Sequence, residues 1–572
     1  MEVKSAIEQL QCGKAGGPDG ISPELLKFGG PKLVAKLTAF FVDCWNTSTL
    51  PSDLKDARIV HLYKGKGDKS LCDNHRGISL LSIAGKILAK LILSRLTKHI
   101  IDDLVPESQC GFRPARGTAD MIFAVRQLQE KCREQQQDLY ILFLDLTKAF
   151  DTVSRDGLWK ILPRVGCPPR MVEIIKQFHD GMSAQVVGTD HSFPVSNGVK
   201  QGCVLAPTLF SIIFSLMLIS AFKTSSAGIK VRYRTDRGIF DLRSLKARTK
   251  TTEILVRDLL YADDCAIVTH TEAELQDLTD RLSTAAKKYG LTISIKKTEV
   301  LFQPAQRNST SPCIFVDGQR LNNVEYFTYL GSCVTANCSL DKEVTSRIAK
   351  ASSSFGRLTK KVWNEKGLSL KTKIAVYSAM VIPSLLYGSE TWTTYRRHVK
   401  SLEQFHQRYL RQIMGIKWQD NATNTSVLAR ARLTSIETML MKNQLRWAGH
   451  VVRMSDSRLP KQIFYSELAD GARRRGRPLL RYKDVLKERL NNCNLSPNDW
   501  EASAQNRSAW RGTIKRYSKQ FELKRTQNME AKRAKRHRAA PPTLGNGIKC
   551  PICDKICASN FGLMAHKKSH RT

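Results

Sequence analysis

The stretch 256-VRDLLYADDCAIV-268 sets two adjacent aspartates, Asp263 and Asp264, between apolar runs and directly behind Tyr261 and Ala262. Adjacent carboxylates repel each other, and neither is at ease beside a buried strand. Residues 254–268 read as strand, tight polar turn, strand: a hairpin with the two acids at its tip. A lone pair of acids in a loop is ordinarily a solvated turn. Apolar strands on both sides argue instead for a cation that neutralises them.

A partner lies upstream. The run 139-LYILFLDLTKAFDTV-153 carries Asp145 at the end of an apolar strand. If the two strands are neighbours, three carboxylates meet. Hard divalent cations such as Mg²⁺ bind carboxylate oxygens together with substrate phosphates. Two such ions, about 3.5–4 Å apart, serve the in-line displacement of nucleotidyl transfer.

The charge balance agrees. The 572 residues hold 91 Lys+Arg against 52 Asp+Glu, a formal net charge of +39. An excess of this size and single sign points to a polyanion, most often nucleic acid. From Met441 to Thr572 there are 30 basic and 10 acidic residues, so half of the excess sits in the last quarter of the chain. The opening MEVKSAIEQL is polar, with no secretory leader, and the scattered cysteines read as reduced thiols in an intracellular chain. The most apolar run, 209-LFSIIFSLMLISAF-222, is too short for a membrane span and reads as a buried helix.

Along the chain, 11-QCGKAGGPDG-20 reads as a plain glycine-rich turn, 57-ARIVHLYKGKGD-68 as a strand entering a basic turn, and 81-LSIAGKILAKLILSRL-96 as an amphipathic helix. Strands and helices alternate to about residue 305, which predicts an α/β (α+β) domain. Residues 340–450 are helical, basic and rich in aromatics. The stretch 524-KRTQNMEAKRAKRHRAAPPTLGNG-547 reads as a basic linker.

Six segments, in order, resemble the reverse transcriptases of LINE-type (non-LTR) retrotransposons: 74-NHRGISLLS-82, 111-GFRPARGTAD-120, 143-FLDLTKAFDTV-153, 198-GVKQGCVLAPTLFSIIF-214, 260-LYADD-264 and 290-GLTISIKKTEVL-301. The resemblance implies a right-hand polymerase: fingers over 1–138, palm over 139–305, a junction over 306–340 and a helical thumb over 341–450. A basic helical region over 451–521, a basic linker over 522–547 and a small finger over 548–572 would follow. Asp145, Asp263 and Asp264 match the family's metal-binding catalytic acids. Phe150 matches the ring that meets the sugar of the incoming nucleotide, where bulk excludes a 2′-OH. Gln201 and Gly202 match the lining of the template and nucleotide pocket. Arg58, Lys64 and Arg76 fall where fingers residues meet triphosphate or template, and Lys297 matches a position near the leaving pyrophosphate. Full-length elements usually carry an endonuclease. This chain opens directly in the fingers and shows no nuclease-like acid cluster after the thumb, so a 5′-truncated reading frame is expected.

The tail 550-CPICDKICASNFGLMAHKKSH-570 spaces Cys550, Cys553, His566 and His570 as a zinc finger does. The position four after Cys553, normally aromatic, is Cys557: a spare thiol or a competing ligand, with Phe561 expected to fill the core. Ser559, Gly562 and Ala565, the helix positions that would face bases, cannot make bidentate base contacts. The finger is expected to grip phosphates rather than read sequence.

The expected activity is RNA-directed DNA polymerisation, using two Mg²⁺ ions (Mn²⁺ the alternative) and Zn²⁺ in the finger. Expected partners are an RNA template, a DNA primer or target, and dNTPs, with no membrane. The expected location is the nucleus, with the cytoplasm as a second. Two rival readings are an RNA-dependent RNA polymerase, disfavoured by Phe150, and a catalytically silent or co-opted nucleic-acid-binding protein.

Overall fold

The computed structural model describes all residues except 66, 99–103, 201, 237, 246, 248, 307–309, 472, 474–475, 477–478, 539–547, 558, 568–569 and 571–572. The strands that position the site are β1 (Ala57–Tyr63), β2 (His75–Leu80), β3 (Leu139–Leu144), β4 (Ser183–Val186), β5 (Ser192–Pro194), β6 (Ile229–Tyr233), β7 (Thr252–Val256), β8 (Asp258–Tyr261), β9 (Asp264–Thr269) and β10 (Glu299–Gln303).

All six residues of β3 are buried. A continuous apolar run is what a strand covered on both faces requires. Its alternate side chains divide between two cores. Tyr140, Leu142 and Leu144 pack with Phe210 and Ile213 of the helix Ala206–Phe222 and with Leu278 of the helix Glu272–Lys288. Leu139, Ile141 and Phe143 pack with Met121, Val125 and Leu128 of the helix Thr118–Gln135. The helix Ala206–Phe222 carries no charge and is mostly apolar around its circumference because most of it runs through the interior. Among the described residues no helix is long and apolar enough to cross a membrane.

The central sheet runs Asn322–Asn323, β10, β3, β9, β8, and β3 is antiparallel to both β9 and β10. A second sheet has the order β2-β1-β4-β5. Together these confirm the mixed α and β class.

One expectation about the C-terminal part is refined and one corrected. Residues 451–521 are largely helical, with helices Leu459–Phe464, Tyr482–Asn492 and Trp500–Gln505, but they also contribute to the sheets. Ser466–Leu468 forms a strand that pairs antiparallel with β6, which itself pairs with β7. Phe123 of the helix Thr118–Gln135 meets Trp447, Phe464 and Tyr482 edge-on, with ring centroids 5.2–5.5 Å apart. Residues 524–538 are not a linker: a helix runs from Arg507 to Arg538. Trp510 and Ile514 bury its first turns against the helix Ile436–Val452. Lys, Arg, Ala and Glu then sustain the helix into solvent, being strong helix formers. Residues 539–547 of the expected linker lie outside the described residues.

Residues 341–450 form a helical bundle, including Asp341–Arg357, Arg396–Met414 and Ile436–Val452, around a core containing Trp363, Tyr377, Trp392 and Phe405.

Candidate active site

The β3–β9 register pairs Leu144 with Cys265. One step further along it sets Asp145, the residue after β3, across from Asp264, the first residue of β9. Tyr261 pairs with Asp264, so Ala262 and Asp263 form the two-residue turn of the β8–β9 hairpin. The expected hairpin is present, with the tip shifted by one residue: Asp263 is in the turn and Asp264 already in the strand. Neighbouring strands lie about 5 Å apart, so the three carboxylates share one end of the sheet.

The carboxylates of Asp263 and Asp264 both reach solvent. Enough protein still surrounds them that desolvation is the largest cause of their raised pKa values. Burial pushes Asp264 up to about 6, and repulsion from Asp263 and Asp145 adds to the effect. Asp263 is raised by desolvation and by Asp145, opposed by the positive charge of Arg76. A site that raises its own carboxyls is one that a cation would relieve. Asp145 is anchored through its backbone. Its amide donates to Thr298 Oγ1 (3.3 Å), and its carbonyl accepts from Ser294 N (2.9 Å). Its carboxylate meets Lys297 Nζ at 3.0 Å.

The sequence-predicted neighbours divide. Arg58 pairs with Leu80 and Arg76 with Leu62 across β1 and β2, so both arginines project from the same face of that sheet. Arg76 acts on Asp263; Arg58 lies at the far end of the register. The Lys64 amine is committed within its own hairpin, donating to the Asp73 carbonyl at 2.7 Å. Phe150 is half-buried with its ring 4.8 Å from Phe210, and its carbonyl accepts from Val199 N (2.7 Å). That bond ties the segment after Asp145 to the 198–203 loop. In that loop Gly202 has φ +110°, and a Cβ there would sit 2.7 Å from the Ser79 carbonyl oxygen. The glycine permits close approach to β2. Gln201 lies outside the described residues.

Sequence reasoning missed two buried cations that shape this loop. Arg155 donates to the carbonyls of His179 (2.8 Å), Val195 (2.9 Å), Asn197 (3.3 Å) and Gly198 (2.9 Å). Lys200 donates to the carbonyls of Phe178 and Lys55, and burial pushes its amine down to about 8. A basic residue in the sequence carries no mark of whether it faces solvent or backbone carbonyls.

At the C-terminus the ligand atoms of Cys550, Cys553, His566 and His570 lie within 4.8 Å of one another. Two thiols and two imidazoles converging so closely are a donor set that suits tetrahedral zinc. Cys557 is buried on a short strand pairing with Ile548 and stands apart from the four. Phe561 does not fill the core: it is 84% exposed. Ser559 accepts from Gly562 N (3.2 Å), a contact that starts the helix Asn560–Lys567.

A carboxylate trio at the end of the central sheet, with the positive charge of Arg76 acting on Asp263, gives a mixed α and β domain an acidic cluster that suits divalent cations. Residues 64–334 match the family model described as reverse transcriptase (RNA-dependent DNA polymerase). The chain is 26% identical over 432 residues to the RNA-directed DNA polymerase from mobile element jockey of Drosophila melanogaster, covering 73% of this chain and 44% of that protein. It is 24% identical over 470 residues to the probable RNA-directed DNA polymerase from transposon X-element of the same fly, covering 79% and 48%. The chain thus spans about half the length of the curated relatives it matches. Apo telomerase from Candida Tropicalis, truncated from its C-terminal domain, overlaps 53% of this chain and 58% of its own at 13% identity and a TM-score of 0.33, too slight a likeness to argue from.

Proposed function

We propose that the chain is the RNA-directed DNA polymerase of a non-LTR retrotransposon, adding dNTPs to a DNA 3′-OH along an RNA template. The β1–β2 sheet is then part of the fingers, the central sheet is the palm, and the bundle over 341–450 is the thumb. The observation that carries this reading is the meeting of Asp145, Asp263 and Asp264 on one sheet end inside the segment that matches the reverse-transcriptase family. These acids would hold two Mg²⁺ ions, or Mn²⁺, which supply the Lewis acidity for attack of the 3′-oxygen on the α-phosphorus and departure of pyrophosphate. Arg76 lies where a triphosphate facing the carboxylates would need a counter-charge. The Phe150 ring would border the sugar of the incoming nucleotide.

Cys550, Cys553, His566 and His570 would hold Zn²⁺, folding a finger that grips phosphates. The exposed basic helix before it would extend that grip and could serve as a nuclear-import signal, which fits a nuclear location.

The test is primer extension by the purified chain on RNA and DNA templates with the divalent cation varied. Extension on RNA with Mg²⁺ is expected, and Asp263→Asn should abolish it while leaving the thermal midpoint unchanged or higher, since one repelling charge is gone. An Asp263→Asn protein that extends at the wild-type rate sinks the assignment. A wild-type chain that binds nucleic acid yet extends nothing would instead favour the silent nucleic-acid-binding reading.

A further inference from the structure

The segment Ser108–Gly111 lies along the outer strand of the carboxylate hairpin. Cys110 N donates to the Leu260 carbonyl and Leu260 N to the Ser108 carbonyl, each at 2.9 Å, a parallel bridge centred on Gln109. The Gln109 side chain is fully buried. Its Oε1 accepts from Ala262 N (2.9 Å) and from Gly111 N (2.8 Å), and its Nε2 donates to the Ala262 carbonyl (3.1 Å). One side-chain amide therefore satisfies both backbone polar groups of the residue that precedes Asp263.

Ala262 needs that support. Its φ is +61°, the left-handed region, which costs a residue with a Cβ and is normally left to Gly, Asn or Asp in two-residue hairpin turns. Alanine has no side-chain group to stabilise such a turn locally. Nothing larger than glycine fits beside it either: a Cβ on Gly111 would fall 2.1 Å from Ala262 N.

We propose that Gln109 is a positioning residue: by clamping Ala262 it fixes the turn from which Asp263 projects, and so the geometry in which the carboxylates receive divalent cations. The inference rests on the polymerase reading for its effect on activity, but the clamp acts on metal binding whether or not the chain polymerises. Gln109 touches no reacting atom. Its reach is through two backbone bonds to the next residue, and outer partners of this kind typically change metal affinity or activity by about 10–100-fold when removed.

The experiment uses the 572-residue chain as wild type, Gln109→Met and Gln109→Glu. The methionine keeps length and removes all three hydrogen bonds. The glutamate keeps shape and both accepting contacts but replaces the donor to the Ala262 carbonyl with a charge. Mn²⁺ binding without nucleotide, the Mg²⁺ half-saturation of extension, the dNTP KM and primer–template affinity are measured beside the thermal melt. Expected are a Mn²⁺ dissociation constant and a Mg²⁺ half-saturation raised about tenfold or more, with template affinity and dNTP KM within about twofold of wild type. Unchanged Mn²⁺ binding in a folded variant overturns the proposal. So does loss of a cooperative melt in both variants, which would make Gln109 a residue of the core rather than of the site. A wild type that binds Mn²⁺ but extends no primer would defeat the polymerase reading alone, leaving the clamp to be judged on Mn²⁺ binding.

Discussion

Lys297 Nζ stands 3.0 Å from Asp145 Oδ2, with both side chains partly open to solvent. The amine occupies an oxygen that a metal ion would also claim, so the two cations compete. An exposed pair of this kind is worth little, and Lys297→Met should tighten Mg²⁺ binding by at most about fivefold. If Lys297 also meets the departing pyrophosphate, the same variant should slow single-turnover extension by roughly tenfold or more. Rates and metal affinity both unchanged would return Lys297 to the solvated surface.

Phe150→Ala should admit ribonucleotides far more readily while deoxynucleotide use persists. The ring also packs on Phe210, so the variant should lose roughly 1–3 kcal/mol of stability, less than a fully buried ring would cost. Sugar selectivity that stays put while the melt drops would show that Phe150 serves packing alone.

Glu130 gives the fold a pH dependence. Burial pushes its carboxyl up to about 7, although Tyr482 N (2.8 Å) and Thr393 Oγ1 (3.0 Å) both donate to it. Its folded-state pKa lies above the ordinary value, so the folded chain holds a proton that the unfolded chain has released. That contribution is complete below about pH 4.5 and is lost as pH rises through about 7. Glu130→Gln should flatten the profile, melting higher than wild type near pH 8 and much the same near pH 5. Parallel melting curves across that window would show that Glu130 is not what titrates.

Nucleic-acid binding by the C-terminal part should fall steeply with salt and depend little on sequence. About six phosphate contacts predict a loss of roughly a thousandfold between 50 and 200 mM salt. Reversing the charges on Lys532 and Lys535 of the exposed helix should weaken all sequences alike. Zinc removal should unfold only residues from about Ile548 onward and leave extension on an annealed primer intact. A shallow salt slope, or a sequence preference that chelation erases, would mean the finger reads bases.

Much of the centre was legible because its signals are local. The apolar run of β3, the paired acids inside an apolar hairpin and the uncharged, mostly apolar helix Ala206–Phe222 each have one physically reasonable placement. The ligand spacing of the tail is equally self-contained. What escaped was long-range or ambiguous. Gln109 and Arg155 act on carbonyls and amides whose proximity only the fold creates. The basic helix was hidden because a run of Lys and Arg advertises charge more loudly than helix propensity. Ser466–Leu468 is too short to announce a strand and becomes one only because β6 offers an open edge.

That edge strand, with the rings around Phe123, sets the order in which the molecule can be completed. Arg458 adds to it, reaching Asp120 at 3.1 Å and Glu107 at 3.2 Å beneath the segment that holds the carboxylate hairpin. Groups made early in synthesis thus wait for neighbours made some 340 residues later. A ribosome that has delivered Asp145, Asp263 and Asp264 has not yet delivered Arg458 and Ser466–Leu468, which complete the scaffold around them.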